Sequence, residues 1–258
     1  MVVRLMPTGV LGVALVLLAE VTVFRSQAKE AEANEQGPPP RVADVDPFVA
    51  GVMEVIQNSN VTWQKGANSC VALGKQGAKA MPALPAVNEF LDRFLTYIQK
   101  TADPDEVFTL DKWLAHGVQG SGEFGRDGVA LVATLERVLS THVRGRYNGQ
   151  MIRFVQGNRA AAVALGKIGS PKSLPALVKA ATEDKEVDVR LEVVNALAEM
   201  AVLNASAPEV VRQVVIHLRV ISATDEVDYV QAQAAKMLDR IEGKSGKPKD
   251  TKAAAKSP

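Results

Sequence analysis

Between residues 171 and 203 the apolar positions follow a helical period twice. Leu174, Leu177 and Val178 share one face at i, i+3, i+4 spacing, and Val189, Val193, Ala196, Leu197 and Met200 do the same further on. The polar run Thr182-Glu183-Asp184-Lys185-Glu186 separates them. Its acids suit the start of the second helix, where unpaired N–H groups and the positive dipole end favour negative charge. The pattern predicts an αα-hairpin. Just upstream, Gly166 and Gly169 followed by Pro171 predict a close-packing point, a C-terminal cap and a stop. The same signals place hairpins at 47–76, 79–117, 127–169, 171–203 and 207–241, roughly five in all. No such hairpin can bury its apolar face alone, so the expected fold is an all-α superhelix, a solenoid over residues 47–241.

Internal repetition supports this. Val71-Ala72-Leu73-Gly74-Lys75-Gln76-Gly77, followed by Met81-Pro82-Ala83-Leu84, recurs as Val163-Ala164-Leu165-Gly166-Lys167-Ile168-Gly169, followed by Leu174-Pro175-Ala176-Leu177. A weaker copy is Asn195-Ala196-Leu197-Ala198-Glu199-Met200-Ala201, and a degenerate one begins at Gln233. The segment 117–128 holds five glycines and reads as a flexible excursion between the second and third hairpins, the leading candidate for a mobile binding loop.

The ends have a different character. Arg4, the apolar run 9–18 and the small-x-small triplet Ser26-Gln27-Ala28 read 1–28 as a signal peptide. Apolar residues resume at 21–24, so an uncleaved membrane anchor is the competing reading. Residues 29–46, with Gly37-Pro38-Pro39-Pro40, are expected to be a disordered proline-rich linker, and 242–258, with five lysines, a disordered tail. These features place the chain outside the cytoplasm, periplasmic or secreted, with membrane anchoring through the N-terminal segment as an option.

A proline-alanine-leucine first helix, a polar turn, and Asp188-Val189-Arg190 opening an alanine- and leucine-rich second helix resemble the HEAT repeat. The likeness is good over 158–203, fair over 61–95, poor over 102–156 and suggestive after 207. It implies that Asp188 and Arg190 support the stack through bonds between adjacent repeats. It also implies a scaffold that binds a partner along a curved surface. A few proteins similar to this family are enzymes that repair bases or attach chromophores, which gives an enzymatic alternative.

Composition narrows the candidates. Lys plus Arg number 30 against 29 Asp plus Glu, so the chain as a whole offers no footprint for nucleic acid, and none is expected as a partner. Aromatic residues make up only 5%, which favours a core made entirely of helix. The lone Cys70 excludes multi-cysteine metal sites, and its alignment with Ala162 predicts a small buried side chain. His116, His142 and His217 never fall at helical ligand spacing. Trp63 and Trp113 read as gap-filling side chains, and Asp103, Asp105 and Glu106 as a helix-start cluster with Asp111 one turn on. No cofactor, metal or catalytic constellation is nominated. The expected function is a non-catalytic exported scaffold binding a protein partner on its concave face, through second-helix residues such as Lys167, Glu192, Asn195 and Glu199. The alternatives are a structural cell-envelope component attached through the N-terminal segment or the basic tail, and the enzyme, which would need a tryptophan-lined cleft and a carboxylate of raised pKa.

Overall fold

The computed structural model describes residues 45–101 and 103–243. The expected signal peptide or anchor, the linker up to residue 44 and the tail from residue 244 lie outside them. Among the described residues no helix is long and apolar enough to cross a membrane.

Ten α-helices run through the described residues: α1 (Pro47–Gln57), α2 (Trp63–Gly74), α3 (Leu84–Lys100), α4 (Val107–Gly122), α5 (Val132–Ser140), α6 (Gln156–Ile168), α7 (Leu174–Glu183), α8 (Val187–Leu203), α9 (Pro208–Thr224) and α10 (Asp228–Ile241). They pair in chain order into five hairpins. The second helices α2, α4, α6, α8 and α10 pack in succession and form one layer. Leu73, Phe90, Leu135, Leu165, Leu177, Leu197 and Val214 belong to the single core, all fully buried.

The layer is close because side chains are missing where helices meet. A Cβ on Gly120 would stand 2.6 Å from the Val71 backbone nitrogen, one on Gly122 2.9 Å from the Ala164 Cα, and one on Gly166 2.8 Å from the Ala196 Cα. Such distances let backbones touch and leave no slack for a methyl group.

This overturns the reading of 117–128 as a flexible loop. Gly117, Gly120 and Gly122 are buried inside α4, and Gly128 is buried in the 3-10 segment Gly125–Leu131. Gly122-Glu123-Phe124-Gly125 is a third copy of the turn seen at Gly74-Lys75-Gln76-Gly77 and Gly166-Lys167-Ile168-Gly169. In each copy the first glycine faces a neighbouring helix and the last adopts positive φ (55°, 55° and 63°), capping α6 at Gly169 and opening the 3-10 segments that follow α2 and α4 at Gly77 and Gly125. The glycines serve packing and capping, and they mimic loop composition.

The expectation of an all-helical core also needs correction. The third hairpin contains only α5 and α6, and between them stands a two-stranded antiparallel sheet, β1 (Val143–Tyr147) and β2 (Gln150–Phe154), closed by Asn148 and Gly149 at positive φ. It is seated on the start of α4, where a Cβ on Gly145 would lie 2.5 Å from the Pro104 carbonyl oxygen.

Two glycines make opposite predictions. Gly120→Ala should cost about 1–3 kcal/mol through overpacking against fixed backbone. Gly51→Ala, where an added Cβ meets nothing within 4 Å, should gain about 0.5–1 kcal/mol from helix propensity. Urea unfolding of the two variants checks the sign of each.

Candidate functional site

Two polar systems border the second-helix layer, one buried at the loops and one on the outer surface. The buried system begins at β2. Arg153 Nη2 donates to Asp184 Oδ2 at 3.0 Å, and Asp184 Oδ1 accepts from the Glu186 N–H in the turn between α7 and α8. Arg190 on α8 donates through Nη1 to the Asp184 carbonyl oxygen, and through Nε and Nη2 to both carboxylate oxygens of Asp225 at 2.9 and 3.0 Å. Asp225 in turn accepts from the Val227 N–H, and Gln231 on α10 donates to the Asp225 carbonyl oxygen. Asp184 and Asp225 therefore hold the same place in successive turns, as do Arg190 and Gln231 in successive helices. Asn158 occupies the matching place on α6, donating to the carbonyl oxygens of Val138, Leu139 and Thr141.

Arg190 thus does bind across repeats, but its acid is Asp225. Asp188 is exposed and also reaches across repeats, to Arg159 on α6 of the preceding hairpin, at 3.6 Å. The Asp225–Gln231 geometry also sets the register of the last repeat, matching Arg190 to Gln231. The sequence alignment of Gln233 with Asn195 is off by three residues.

The outer system is a row of charges. Lys75, Glu123 and Lys167 each follow the first glycine of their turn copies, Glu199 aligns with Lys167, and Arg240 lies opposite Glu199. Signs alternate along the five second helices. Lys167 Nζ meets Glu123 Oε1 at 2.5 Å, and Arg240 Nη2 meets Glu199 Oε2 at 3.1 Å. One turn inward, Asn195 Oδ1 accepts from Gln233 Nε2 at 2.6 Å, and two turns inward Glu192 pairs with Arg159 at 3.0 Å. The structure therefore brings Lys167, Glu192, Asn195 and Glu199 onto one face and engages each with the adjacent second helix. Exposed pairs of this kind contribute about 0–1 kcal/mol apiece, so they fix register more than stability.

The remaining candidates have structural partners. Cys70 is fully buried, and burial pushes its thiol up to about 12, far from the reactive thiolate range. Trp63 stacks on Phe94 with ring centroids 4.5 Å apart and touches Phe90 and Tyr97. Trp113 is half-buried beside His116 on α4, and His217 is half-buried in α9. Asp111, read from the sequence as one turn beyond a helix-start cluster, has its partners on another helix. It is 1% exposed, and its two oxygens accept from the Gln156 and Gly157 N–H groups at the start of α6. Burial raises its pKa and the two backbone bonds oppose the rise. Its place beside the acidic cluster gave no signal of this role; only the fold brings α6 to it.

Glu136 also has a raised pKa, from burial. It lines a groove of about 510 Å³ between α5 and α7 with Arg137, His142 and Lys179, and no tryptophan borders that groove. His142 lies within 2.5 Å of Arg153 through Nδ1. Its pKa is lowered, first by burial and then by the Arg153 cation, against the raising effect of Asp184 and Glu186.

The family model for HEAT repeats matches residues 154–239, the stretch carrying Asn158, Arg190 and Gln231. No curated protein matches the chain.

Arg190→Ala should lower unfolding free energy by about 3–5 kcal/mol, because it leaves the Asp225 carboxylate buried without its cation; chemical denaturation reads this directly. His142 makes a pH prediction. With a folded-state pKa below its ordinary value of 6.5, its stabilising contribution is present above 6.5 and is lost as pH falls through the folded-state pKa. The stability–pH slope in that window should flatten in His142→Gln.

Proposed function

We propose that this HEAT-repeat chain is a non-catalytic scaffold, exported from the cytoplasm, that binds a protein partner along the concave face of its second helices. The observation that carries this reading is the unbroken second-helix face, on which five aligned positions present charges of alternating sign. A scaffold needs a long surface whose shape is fixed before the partner arrives, because pre-ordering lowers the entropy lost on binding. Backbone-close packing and cross-helix pairs supply that order.

The same side chains weigh against the enzymatic alternative. Asp111 has the raised pKa expected of a catalytic acid, but both its oxygens are committed to the N-terminus of α6. The Cys70 thiol is held protonated by burial. The export expectation rests on the N-terminal apolar segment and belongs to the proposal.

The test is capture from the native cell envelope with the full chain and with a chain ending at Ile241. One defined protein should be retained by both at moderate salt, and reversing Lys167 and Glu199 together should reduce its capture without lowering the unfolding midpoint by more than a few degrees. Retention that needs the lysine-rich tail and disappears with salt would instead favour electrostatic attachment of a structural envelope component.

A further inference from the structure

The β-hairpin between α5 and α6 is an addition to the helical repeat, and it is anchored to the fold. Gly145 allows it onto the Pro104 carbonyl oxygen and Val107, and the Arg146 N–H donates to that same carbonyl at 2.8 Å. Insertions of this kind in repeat proteins tend to gather on the binding side. Three of its features are unfavourable for folding alone.

Arg144 stands directly opposite Arg153, a cross-strand pair of like charges that destabilises a sheet. Arg153 is neutralised by Asp184 and Glu186, whereas Arg144 takes no part in the ion pairs among the described residues. Arg146 shares the outward face with Arg144, and its contact with Asp105 is long, at 3.7 Å. Tyr147 and Met151 are 46% and 52% exposed at the tip. Finally, the edge of β2 is free. The two-residue turn pairs Tyr147 with Gln150, so the main-chain groups of Arg146, Met151, Arg144 and Arg153 point away from the partner strand. On β1 that direction is confirmed by the Arg146–Pro104 bond. On β2 it leads to an edge with no third strand among the described residues.

We infer that the β2 edge takes up an extended, acidic segment of a partner protein as a third strand, with carboxylates two residues apart on the face shared by Arg144 and Arg146. Side chains at i and i+2 lie about 6.6 Å apart on one face of a strand, so alternate acidic residues match the arginine spacing, and the long Arg144 and Arg146 side chains reach toward them from β1 across β2, over about two strand spacings or roughly 9.6 Å. A residue between them can pack against the exposed tip. A polyphosphate partner fits less well. Asp103, Asp105 and Glu106 are exposed beside the hairpin and would repel a continuous line of phosphates, whereas a short peptide can end before them.

This inference deepens the scaffold reading and rests on it. The probe is a short fluorescent peptide alternating glutamate and valine, titrated into the full chain. Peptides with lysine in place of glutamate and a short DNA duplex serve as comparisons. The glutamate peptide should bind in a salt-dependent way. Arg144→Glu combined with Arg146→Glu should weaken it about tenfold, and Met151→Pro, which removes one outward N–H, should weaken it independently of charge. Arg144→Gln replaces the double reversal if circular dichroism shows the latter unfolded. Absence of peptide binding, equal binding by these variants, or preference for DNA overturns the assignment. If the arginine variants still capture the same envelope protein as the parent chain, the hairpin assignment fails while the scaffold reading stands; loss of capture by the parent chain itself would defeat both.

Discussion

The second helices approach one another at backbone distance, and this contact determines much of what surrounds it. Gly120 against Val71, Gly122 against Ala164 and Gly166 against Ala196 exclude any side chain at the crossing points. The helices can then neither slide nor rotate without a clash, because interiors packed to this density accept only discrete arrangements. Fixing the register at the glycines also fixes it one residue later. This is why Glu123 meets Lys167, and why charges of opposite sign can face each other along the layer. The order of the outer surface follows from the absence of side chains beneath it.

The loop side of the layer uses a different device. Arg153, Asp184, Arg190 and Asp225 are buried or nearly so, and every carboxylate there also accepts backbone N–H groups. Buried charge is costly unless it is paired, and here the pairing passes from one repeat to the next, with Arg153 Nε the one buried nitrogen of these four side chains that has no hydrogen-bond partner. A bond network of this type specifies which hairpin follows which. The β-hairpin takes part in it, since Arg153 supplies the cation for Asp184. The insertion is therefore tied into the fold through Arg153, while Arg144 and Arg146 on the same sheet face remain exposed.

Much of this was legible in the sequence. Amphipathic spacing located the paired helices, and the repeated Gly74-Lys75-Gln76-Gly77 and Gly166-Lys167-Ile168-Gly169 turns gave the period. Residues 102–156 were harder for a physical reason. Helix α4 uses so many small residues to meet neighbours on two sides that Gly117, Gly120 and Gly122 look like a loop in one dimension. The hairpin was hidden because its strands are short and one face is arginine-rich, which reads as polar connection even though the Asn148-Gly149 turn was available as a signal. That Lys167, Glu192, Asn195 and Glu199 share one second-helix face was legible from helical spacing. Their mutual engagement with neighbouring helices was not, because it depends on rotation of each helix about its axis, as does the convergence of Asp111 on the start of α6.

The most direct measurement is native-state hydrogen exchange across residues 107–131, with 156–168 as the internal standard. If the glycines of α4 are the packing points of one continuous layer, the amides of Gly120, Ser121 and Gly122 will exchange as slowly as those of α6 and in the same cooperative unit. Fast exchange through 117–128, with α6 still protected, would mean that the segment is a loop after all and that the second helices form two separate stacks.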